Sequence, residues 1–413
     1  MRAPSHMPPI QNPQEPHLLT TNEVAERLGV KPATVYAYVS RGMLASRRNA
    51  DGKGSLFAKP DVDAFVASRK RTTTPGIATG ITLIRDNRLY YRGQDAAGLA
   101  RSTTFEAVAT LLWTGAAEHA DLTPDPELRS LAAATIRPLP AGARITDRLR
   151  VIVAAAAAAD PLRFDTSPAA VVGTARTLLA TMVAALPYAR GVTTSAVLRR
   201  EQTAVPLAEL LWPRLTVRAA TAGAHNLLNA ALILLADHDI AASTLAARVA
   251  ASTRAHPYAV VGAGLAALDG PLHGAASGLA YALLRDAMVA GPVATIAARL
   301  RADGLIPGFG HPLYPGGDPR AATLMEMLED GPVRDTATRV ADAVRERSGT
   351  HPNVDFALAA LTLQNEMPAD AGEAIFAVAR TAGWLAHALE EYADRPSRFR
   401  PVGQYSGRYP GAS

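Results

Sequence analysis

The feature that most restricts the fold of this chain is a long stretch, from about Ala96 to Tyr258, of segments rich in Ala and Leu. Apolar residues make up 48% of the sequence and aromatic residues only 5%, so the apolar content rests on Ala, Leu and Val. Because Ala is the strongest helix former, we predict a mainly α-helical protein. The prolines expected to break these helices are at Thr123-Pro124, Arg137-Pro138, Leu186-Pro187 and Trp212-Pro213.

The length of 413 residues exceeds one ordinary core and predicts two or three domains. The absence of cysteine excludes disulfides, Cys–zinc sites and thiol catalysis, and it fits a cytoplasmic protein. The most apolar runs, Val151–Ala159 and Leu227–Ala236, are about ten residues long, against the roughly 20 needed to cross a bilayer. We therefore expect no membrane-spanning segment. Residues 1–17, rich in Pro and without an apolar signal core, are predicted to be a disordered leader.

Basic charge is concentrated at the front of the chain. Residues 1–75 hold 11 Lys and Arg against 6 Asp and Glu, a surplus equal to the net charge of +5 for the whole sequence. Any general attraction to a polyanion therefore belongs to this part.

Two short helices are predicted within the basic part. The first starts at a capping residue, Thr20, and ends at Gly29. The second has Pro32 near its start and Gly42 at its end. Two helices around a glycine turn form a helix-turn-helix.

The residues after these helices complete the module. Ser46–Phe57 has a Gly-rich turn between short extended pieces, which predicts a basic wing, and Asp61–Arg71 predicts a third helix. Residues 18–71 thus resemble the winged helix-turn-helix of excisionase and MerR-type regulators. The module either binds DNA or is an interaction domain that does not. The candidate DNA-binding residues are Thr34, Tyr36, Arg41, Arg47 and Arg48.

The second part of the chain begins after a linker, which we place at residues 72–79. Two alternating apolar runs on either side of Asp86-Asn87 then predict a small hairpin within residues 80–93.

Three further stretches place polar residues at turn-to-helix junctions. Gly270–Ala276 carries His273, Ile306–Arg320 carries His311, and His351–Phe356 carries Asp355. Two histidines and a carboxylate in such positions can come together in one site as an acid, a base and a group that orients one of them. Each stretch taken alone is equally consistent with a polar turn.

The helix starts suggest a role for each side chain. The positive end of a helix disfavours the imidazolium of His273, so a neutral ring can hydrogen-bond to a carbonyl or enol oxygen. The same field favours the anion of Asp355, which can take up a proton. His311 can act as a second acid, and the planar fork of Arg320 suits a carboxylate. The set suits enolisation next to one carbonyl and attack on another.

Asp237-His238-Asp239 follows the apolar run that ends near Leu235. A histidine in this position is more often structural than functional. No His-x-x-x-His pair accompanies it, so we predict no metal site, and a metal-dependent hydrolase is the weakest of the alternatives.

The three stretches, in their order and approximate spacing, resemble the signature motifs of the citrate synthase family over residues 76–413. The resemblance implies a nearly all-α fold with a large domain (80–265 and 366–413), a smaller domain (266–365) that closes over the substrates, and a homodimer. It also implies condensation of an acyl-CoA with oxaloacetate and hydrolysis of the thioester, without a cofactor. The acyl donor would be acetyl-CoA or propionyl-CoA, giving citrate or 2-methylcitrate.

The resemblance also implies residue roles. Asp355 would remove the α-proton, His273 would hydrogen-bond to the thioester oxygen, and His311 would act as acid toward oxaloacetate. His238 would bind oxaloacetate. The residues implied to bind substrate carboxylates are Arg320, Arg380 and, from the partner subunit's chain, Arg400. The residues implied to contact CoA are Pro307, Gly308 and Gly310.

Several positions depart from the family pattern. Ala241 replaces a common Asn, Ser277 replaces another, and Pro312 and Pro315–Gly317 replace basic residues. These changes favour an alternative, a regulator whose body senses a CoA ester or a carboxylate while the front module binds DNA. The retained catalytic residues favour the enzyme.

Overall fold

The computed structural model describes residues 18–40, 44–49, 54–70, 76–192, 205–270, 273–274, 276–302 and 304–401. The chain divides into two compact units, one ending at Ala78 and the other starting at Thr79. The predicted leader 1–17, residues 72–75 of the predicted linker and the candidate DNA contact Arg41 lie outside the described residues. The predicted mainly α-helical fold is confirmed.

The first unit is a winged helix-turn-helix, as predicted. Its helices are Thr21–Leu28, Pro32–Ser40 and Lys59–Lys70. In its antiparallel sheet, Ser55–Ala58 lies between Leu18–Thr20 and Arg47–Arg48. A small apolar core, which includes the fully buried side chains of Val24, Val35, Phe57 and Val62, holds the helices against this sheet.

The local signals for the first helix act as predicted. The Thr20 hydroxyl accepts from the Glu23 backbone N–H, and the Thr20 N–H donates to the Glu23 carboxylate at 2.7 Å, which is a capping box. Gly29 ends the helix in the left-handed conformation, with φ of 64°.

The second unit begins with the predicted hairpin. Strand Thr82–Arg85 pairs with Arg88–Tyr91, which also pairs with Gln94–Asp95. Asp86 and Asn87 have φ of 50° and 60°, and two positive φ values are what a two-residue type I′ turn requires.

Fifteen described helices follow in the second unit. They are Ala96–Ser102, Phe105–Thr114, Pro126–Ile136, Ile145–Ala159, Pro168–Ala184, Leu207–Leu215, Ala222–Leu235, Ala242–Ser252, Pro257–Leu268, Ala276–Ala290, Pro292–Ala302, Pro319–Met327, Pro332–Ser348, Val354–Gln364 and Ala371–Ala393.

Three of the four proline positions separate helices as predicted, and the prediction for Trp212-Pro213 is wrong. Pro213 lies inside the helix Leu207–Leu215. It stands in the last turn, where its missing N–H costs one hydrogen bond. Burial of Leu211 and Trp212 in the core stabilises the helix despite that loss.

The core of the second unit surrounds its last helix, Ala371–Ala393, which is buried along most of its length. Trp384 on this helix is fully buried. It packs so closely on the helix Pro257–Leu268 that a Cβ at Gly264 would lie 2.4 Å from its ring. In the described part of the chain, no helix combines the length and the apolar character needed to cross a membrane.

Candidate active site

The second and third of the predicted stretches meet in space. Phe309 and Pro352 form a β-bridge, and the Gly310 N–H donates to the His351 carbonyl at 2.9 Å. Gly308 has φ of 85°, and a Cβ there would lie 2.9 Å from the Cβ of Phe356. Only glycine fits this contact without a shift.

Asp318 and Arg320 tie these two stretches together. Nε and Nη2 of Arg320 lie 2.9 and 2.7 Å from the two oxygens of Asp318, and the Val354 N–H donates to Oδ2 at 3.0 Å. Although burial opposes ionisation, Arg320 holds the pKa of Asp318 below its usual value. The planar guanidinium of Arg320 was predicted to bind a substrate carboxylate, but two of its nitrogens already bind the carboxylate of Asp318. Nη1 of Arg320 lies outside this pair, and its contact with a substrate stays a prediction.

Asp355 stands in the first turn of the helix Val354–Gln364, where Asn353 caps the helix and accepts from the Asp355 N–H at 3.0 Å. Oδ1 of Asp355 is buried and has no hydrogen-bond partner among the described residues. Burial raises the pKa of Asp355 to about 7. The expectation that the helix field would favour its anion is therefore wrong, because desolvation outweighs that field. A carboxylate with this pKa is suited to general base chemistry near neutrality.

His311 and His238 lie side by side, with ring centroids 5.1 Å apart. The Tyr314 ring contacts both, and its hydroxyl lies 2.9 Å from Nε2 of His238. Burial, and next the charge of Arg320, lowers the pKa of both histidines. The Leu313 N–H donates to Nδ1 of His311 at 3.2 Å. Because a backbone N–H can only donate, neutral His311 carries its proton on Nε2 and can give it away.

His273 precedes the helix Ala276–Ala290. Its Nε2 lies 2.8 Å from Oγ of Ser243 and accepts from the Ser243 N–H at 3.4 Å. The proton of a neutral His273 is therefore on Nδ1. Burial, and next Arg380, lowers its pKa to about 4. The His273 ring is thus neutral, as predicted, but the cause is burial and not the helix terminus. The sequence did not indicate Ser243 as a partner of His273. Ser243 was notable only because it follows Ala241, one of the positions that depart from the family pattern.

Arg380 lies on the buried helix Ala371–Ala393 and is 1% exposed. Its Nε donates to the Leu235 carbonyl at 2.8 Å, and its guanidinium covers the Phe376 ring at 4.6 Å. Nη1 and Nη2 are buried and have no partner among the described residues. Burial lowers the pKa of Arg380 to about 10. A buried guanidinium with two such donors matches a carboxylate ligand.

The carboxylate of Asp237 does not join His238. It accepts from the Thr82 hydroxyl at 2.5 Å and lies 3.3 Å from Nε2 of His387. The Asp237 carbonyl accepts from the Tyr91 hydroxyl at 3.0 Å. These contacts fix the turn that presents His238. Among the described residues, no group of three or more His, Asp and Glu is arranged to hold a metal ion.

The other predicted site residues differ in exposure. Arg400 is exposed near the end of the described chain. In the first unit, Tyr36 is 50% exposed, the wing residues Arg47 and Arg48 are exposed, and Thr34 is half-buried.

The fold and these contacts define a mainly helical protein in which two histidines, a tyrosine and an ion-paired arginine lie together, namely His238, His311, Tyr314 and Arg320. Residues 72–402 match the family model described as citrate synthase, C-terminal domain. The chain therefore belongs to the citrate synthase family. Residues 18–70 match the model of a helix-turn-helix domain.

Individual relatives support the same assignment. Citrate synthase 2 of Bacillus subtilis is 39% identical over 187 residues, which are 43% of this chain and 50% of that protein. The chain thus spans about half the length of the first relatives it matches. With 2-methylcitrate synthase 2 of Corynebacterium glutamicum the match is longer, 30% identical over 344 residues, covering 78% of this chain and 89% of the relative.

The fold has solved counterparts. Citrate synthase of Thermoplasma acidophilum, in a ternary complex with carboxymethyl coenzyme A and oxaloacetate, is 25% identical. The two structures align with a TM-score of 0.68 over 83% of this chain and 96% of that one. Citrate synthase of Thermotoga maritima gives a TM-score of 0.63 at 25% identity, over 81% of this chain and 94% of the other.

Proposed function

We propose that the chain condenses an acyl-CoA with oxaloacetate and water to give citrate or 2-methylcitrate and free CoA. The observation that carries this proposal is Asp355, whose Oδ1 is buried without a hydrogen-bond partner among the described residues and whose pKa of about 7 suits it to remove a weakly acidic proton. Family membership and the lowered pKa values of His273 and His311 give further support.

In the proposed reaction, Asp355 takes a proton from the carbon next to the thioester, and Nδ1–H of His273 donates a hydrogen bond to the oxygen of the enolate that forms. The enolate carbon attacks the keto carbon of oxaloacetate, and Nε2–H of His311 protonates the resulting alkoxide. The proton that Asp355 took up replaces the one that His311 gave. Water then cleaves the thioester and releases the CoA thiol. Burial strengthens each of these hydrogen bonds.

Oxaloacetate would be held by His238 and by cations around it. The proposed carboxylate partners are Arg320, Arg380 and, from a second copy of the chain, Arg400. The two unpartnered nitrogens of Arg380 support its assignment most directly. The loop residues Pro307, Gly308 and Gly310 would contact CoA.

The proposed assembly is a cytoplasmic homodimer. Each chain would consist of a large domain (80–265 and 366–413) and a small domain (266–365), joined through the linker 72–79 to the winged helix-turn-helix. Closure of the small domain would exclude water until condensation is complete.

Acetyl-CoA is the default donor and propionyl-CoA the second, since relatives of both kinds match the chain. An apolar pocket separates substrates that differ by one methylene by only about 1–3 kcal/mol. With acetyl-CoA the enzyme would serve the entry step of the tricarboxylic acid cycle.

The test is release of CoA thiol from each donor, with and without oxaloacetate, for wild type and Asp355→Asn. The chain contains no cysteine, so it adds no thiol background. Release that needs oxaloacetate and is lost in the variant supports the proposal, and the ratio of the two rates identifies the donor. A folded protein that binds CoA esters but releases no thiol would instead support the regulator.

A second candidate function, DNA binding by the first unit, is favoured by the helix-turn-helix match and by the exposed Arg47 and Arg48 on the wing. Replacing both with Ala is expected to weaken binding to duplex DNA and to reduce the salt dependence by about one phosphate contact per arginine. Lys59→Gln is the control for the loss of positive charge, because Lys59 lies on the third helix and pairs with Asp63 at 2.7 Å. Equal retention of all three proteins on a DNA column at low salt would contradict DNA binding through the wing.

A further inference from the structure

Tyr314 is a buried residue of the active-site loop to which the proposed reaction assigns no role. It is 2% exposed. Its ring centroid lies 5.5 Å from that of His238 and 4.9 Å from that of His311, and the Arg320 guanidinium lies 5.5 Å from the ring. The tyrosine thus stands between both histidines and the arginine of the site.

The hydroxyl of Tyr314 needs an acceptor. Burial raises its pKa to about 12, so the hydroxyl keeps its proton, and a buried donor left unpaired is costly. Arg320 offers only donors. Nδ1 of His311 already accepts from the Leu313 N–H. The acceptor within reach is Nε2 of His238, at 2.9 Å.

We propose that Tyr314 is a positioning residue for the oxaloacetate site, whose hydroxyl donates to Nε2 of His238 and thereby fixes its proton on Nδ1. Nδ1–H is then the donor that His238 offers to the ligand. The inference deepens the proposed function and rests on it for the role of His238. The hydrogen bond itself does not depend on turnover.

Tyr314→Phe removes the hydroxyl and keeps the ring contacts. Nε2 of His238 then loses the donor that keeps it unprotonated, and both tautomers become populated. We expect the Kd and KM for oxaloacetate to rise about tenfold, the value for one lost hydrogen bond, while the KM for acyl-CoA stays unchanged. The matched control is Tyr281→Phe, which removes a hydroxyl that donates to the Met367 carbonyl at 3.3 Å and makes no contact with His238.

The decisive experiment is two-bond nitrogen–proton correlation on the full chain with labelled histidines, with the His238 signals assigned by their loss in His238→Gln. We expect wild type and Tyr281→Phe to carry the His238 proton on Nδ1, and Tyr314→Phe to show both tautomers. A wild-type His238 protonated on Nε2 would overturn the inference, and this result does not require the variant to fold. An unchanged tautomer together with unchanged calorimetric affinity for oxaloacetate in Tyr314→Phe would overturn it as well.

The two proposals fail in different ways. If wild type releases no CoA, the proposed reaction fails, while the tautomer and the affinity still decide the role of Tyr314.

Discussion

Asp318 and Arg320 form a two-point ion pair that also fixes the start of the neighbouring helix. Oδ2 of Asp318 accepts from Nη2 of Arg320 at 2.7 Å and from the Val354 N–H at 3.0 Å. Both side chains are buried, 0% and 3% exposed. One carboxylate therefore sets the distance between the loop of His311 and the helix of Asp355.

Asp318→Ala is expected to lower the free energy of unfolding by about 3–5 kcal/mol, because it leaves a buried guanidinium without its partner. Denaturant unfolding measures the change. The control is Asp330→Ala, whose side chain is 97% exposed and paired with Arg334. Exposed ion pairs contribute about 0–1 kcal/mol to stability. An equal fall in the free energy of unfolding in the two variants would therefore contradict the stabilising role of Asp318.

Arg380 and Arg248 are both buried arginines and should respond oppositely to replacement by Met. Arg248 pairs with Glu390 and Glu391, so Arg248→Met removes one cation from a network in which Glu391 keeps Arg398 and Glu390 keeps the Gly80 N–H, and it should lower stability by about 1–3 kcal/mol. Arg380→Met removes two unpartnered donors and should leave stability within about 1 kcal/mol of wild type or raise it.

The same Arg380 variant should lose affinity for oxaloacetate about a hundredfold, since it removes two charge-assisted hydrogen bonds. Calorimetric binding and thermal unfolding on one preparation separate these effects. A strong loss of stability with intact binding would show that Arg380 is structural.

Ser243→Ala should reduce kcat for CoA release about tenfold, because Nε2 of His273 loses the hydroxyl at 2.8 Å that helps fix its tautomer. The next residue provides the control. The Thr244 hydroxyl is buried without a partner among the described residues, so Thr244→Val should keep kcat and keep or raise stability. Equal rates in Ser243→Ala and Thr244→Val would argue against this support for His273.

Gly308 and Gly304 both have positive φ, 85° and 66°, but differ in the space around them. A Cβ at Gly304 meets nothing within 4 Å, whereas one at Gly308 would lie 2.9 Å from the Cβ of Phe356. Gly304→Ala should cost only backbone strain, about 1 kcal/mol. Gly308→Ala should cost more and also lower kcat, because Phe356 follows Asp355 directly. Thermal melts with activity assays compare the two.

Local chemistry accounts for what the sequence predicted well. The capping Thr20 and the terminating Gly29 act through neighbours three or four residues away, so the helix between them is visible in the sequence. The Ala-rich composition likewise predicted the helical body, and the stretches that carry His311 and Asp355 meet in space as expected.

Tertiary burial accounts for what the sequence missed. A helix start favours the anion of Asp355, yet packing of the whole body around it raises its pKa to about 7. Pro213 looked like a helix end, yet the core keeps the helix around it. His273 contacts Ser243, which is 30 residues away in the sequence, and His238 contacts Tyr314, which is 76 residues away. No sequence pattern indicated either partner.

The pH dependence of kcat/KM for oxaloacetate-dependent CoA release, from about pH 5 to about pH 9, shows whether Asp355 is the base and titrates near neutrality. Because burial raises the pKa of Asp355 to about 7, the carboxylate is protonated below that value and the base is lost. We predict a one-proton fall in rate as the pH drops through about 7, and a rate about 10²–10⁴-fold lower, without that limb, in Asp355→Asn. A wild-type rate that is constant through this range, or a variant as fast as wild type, would contradict the claim.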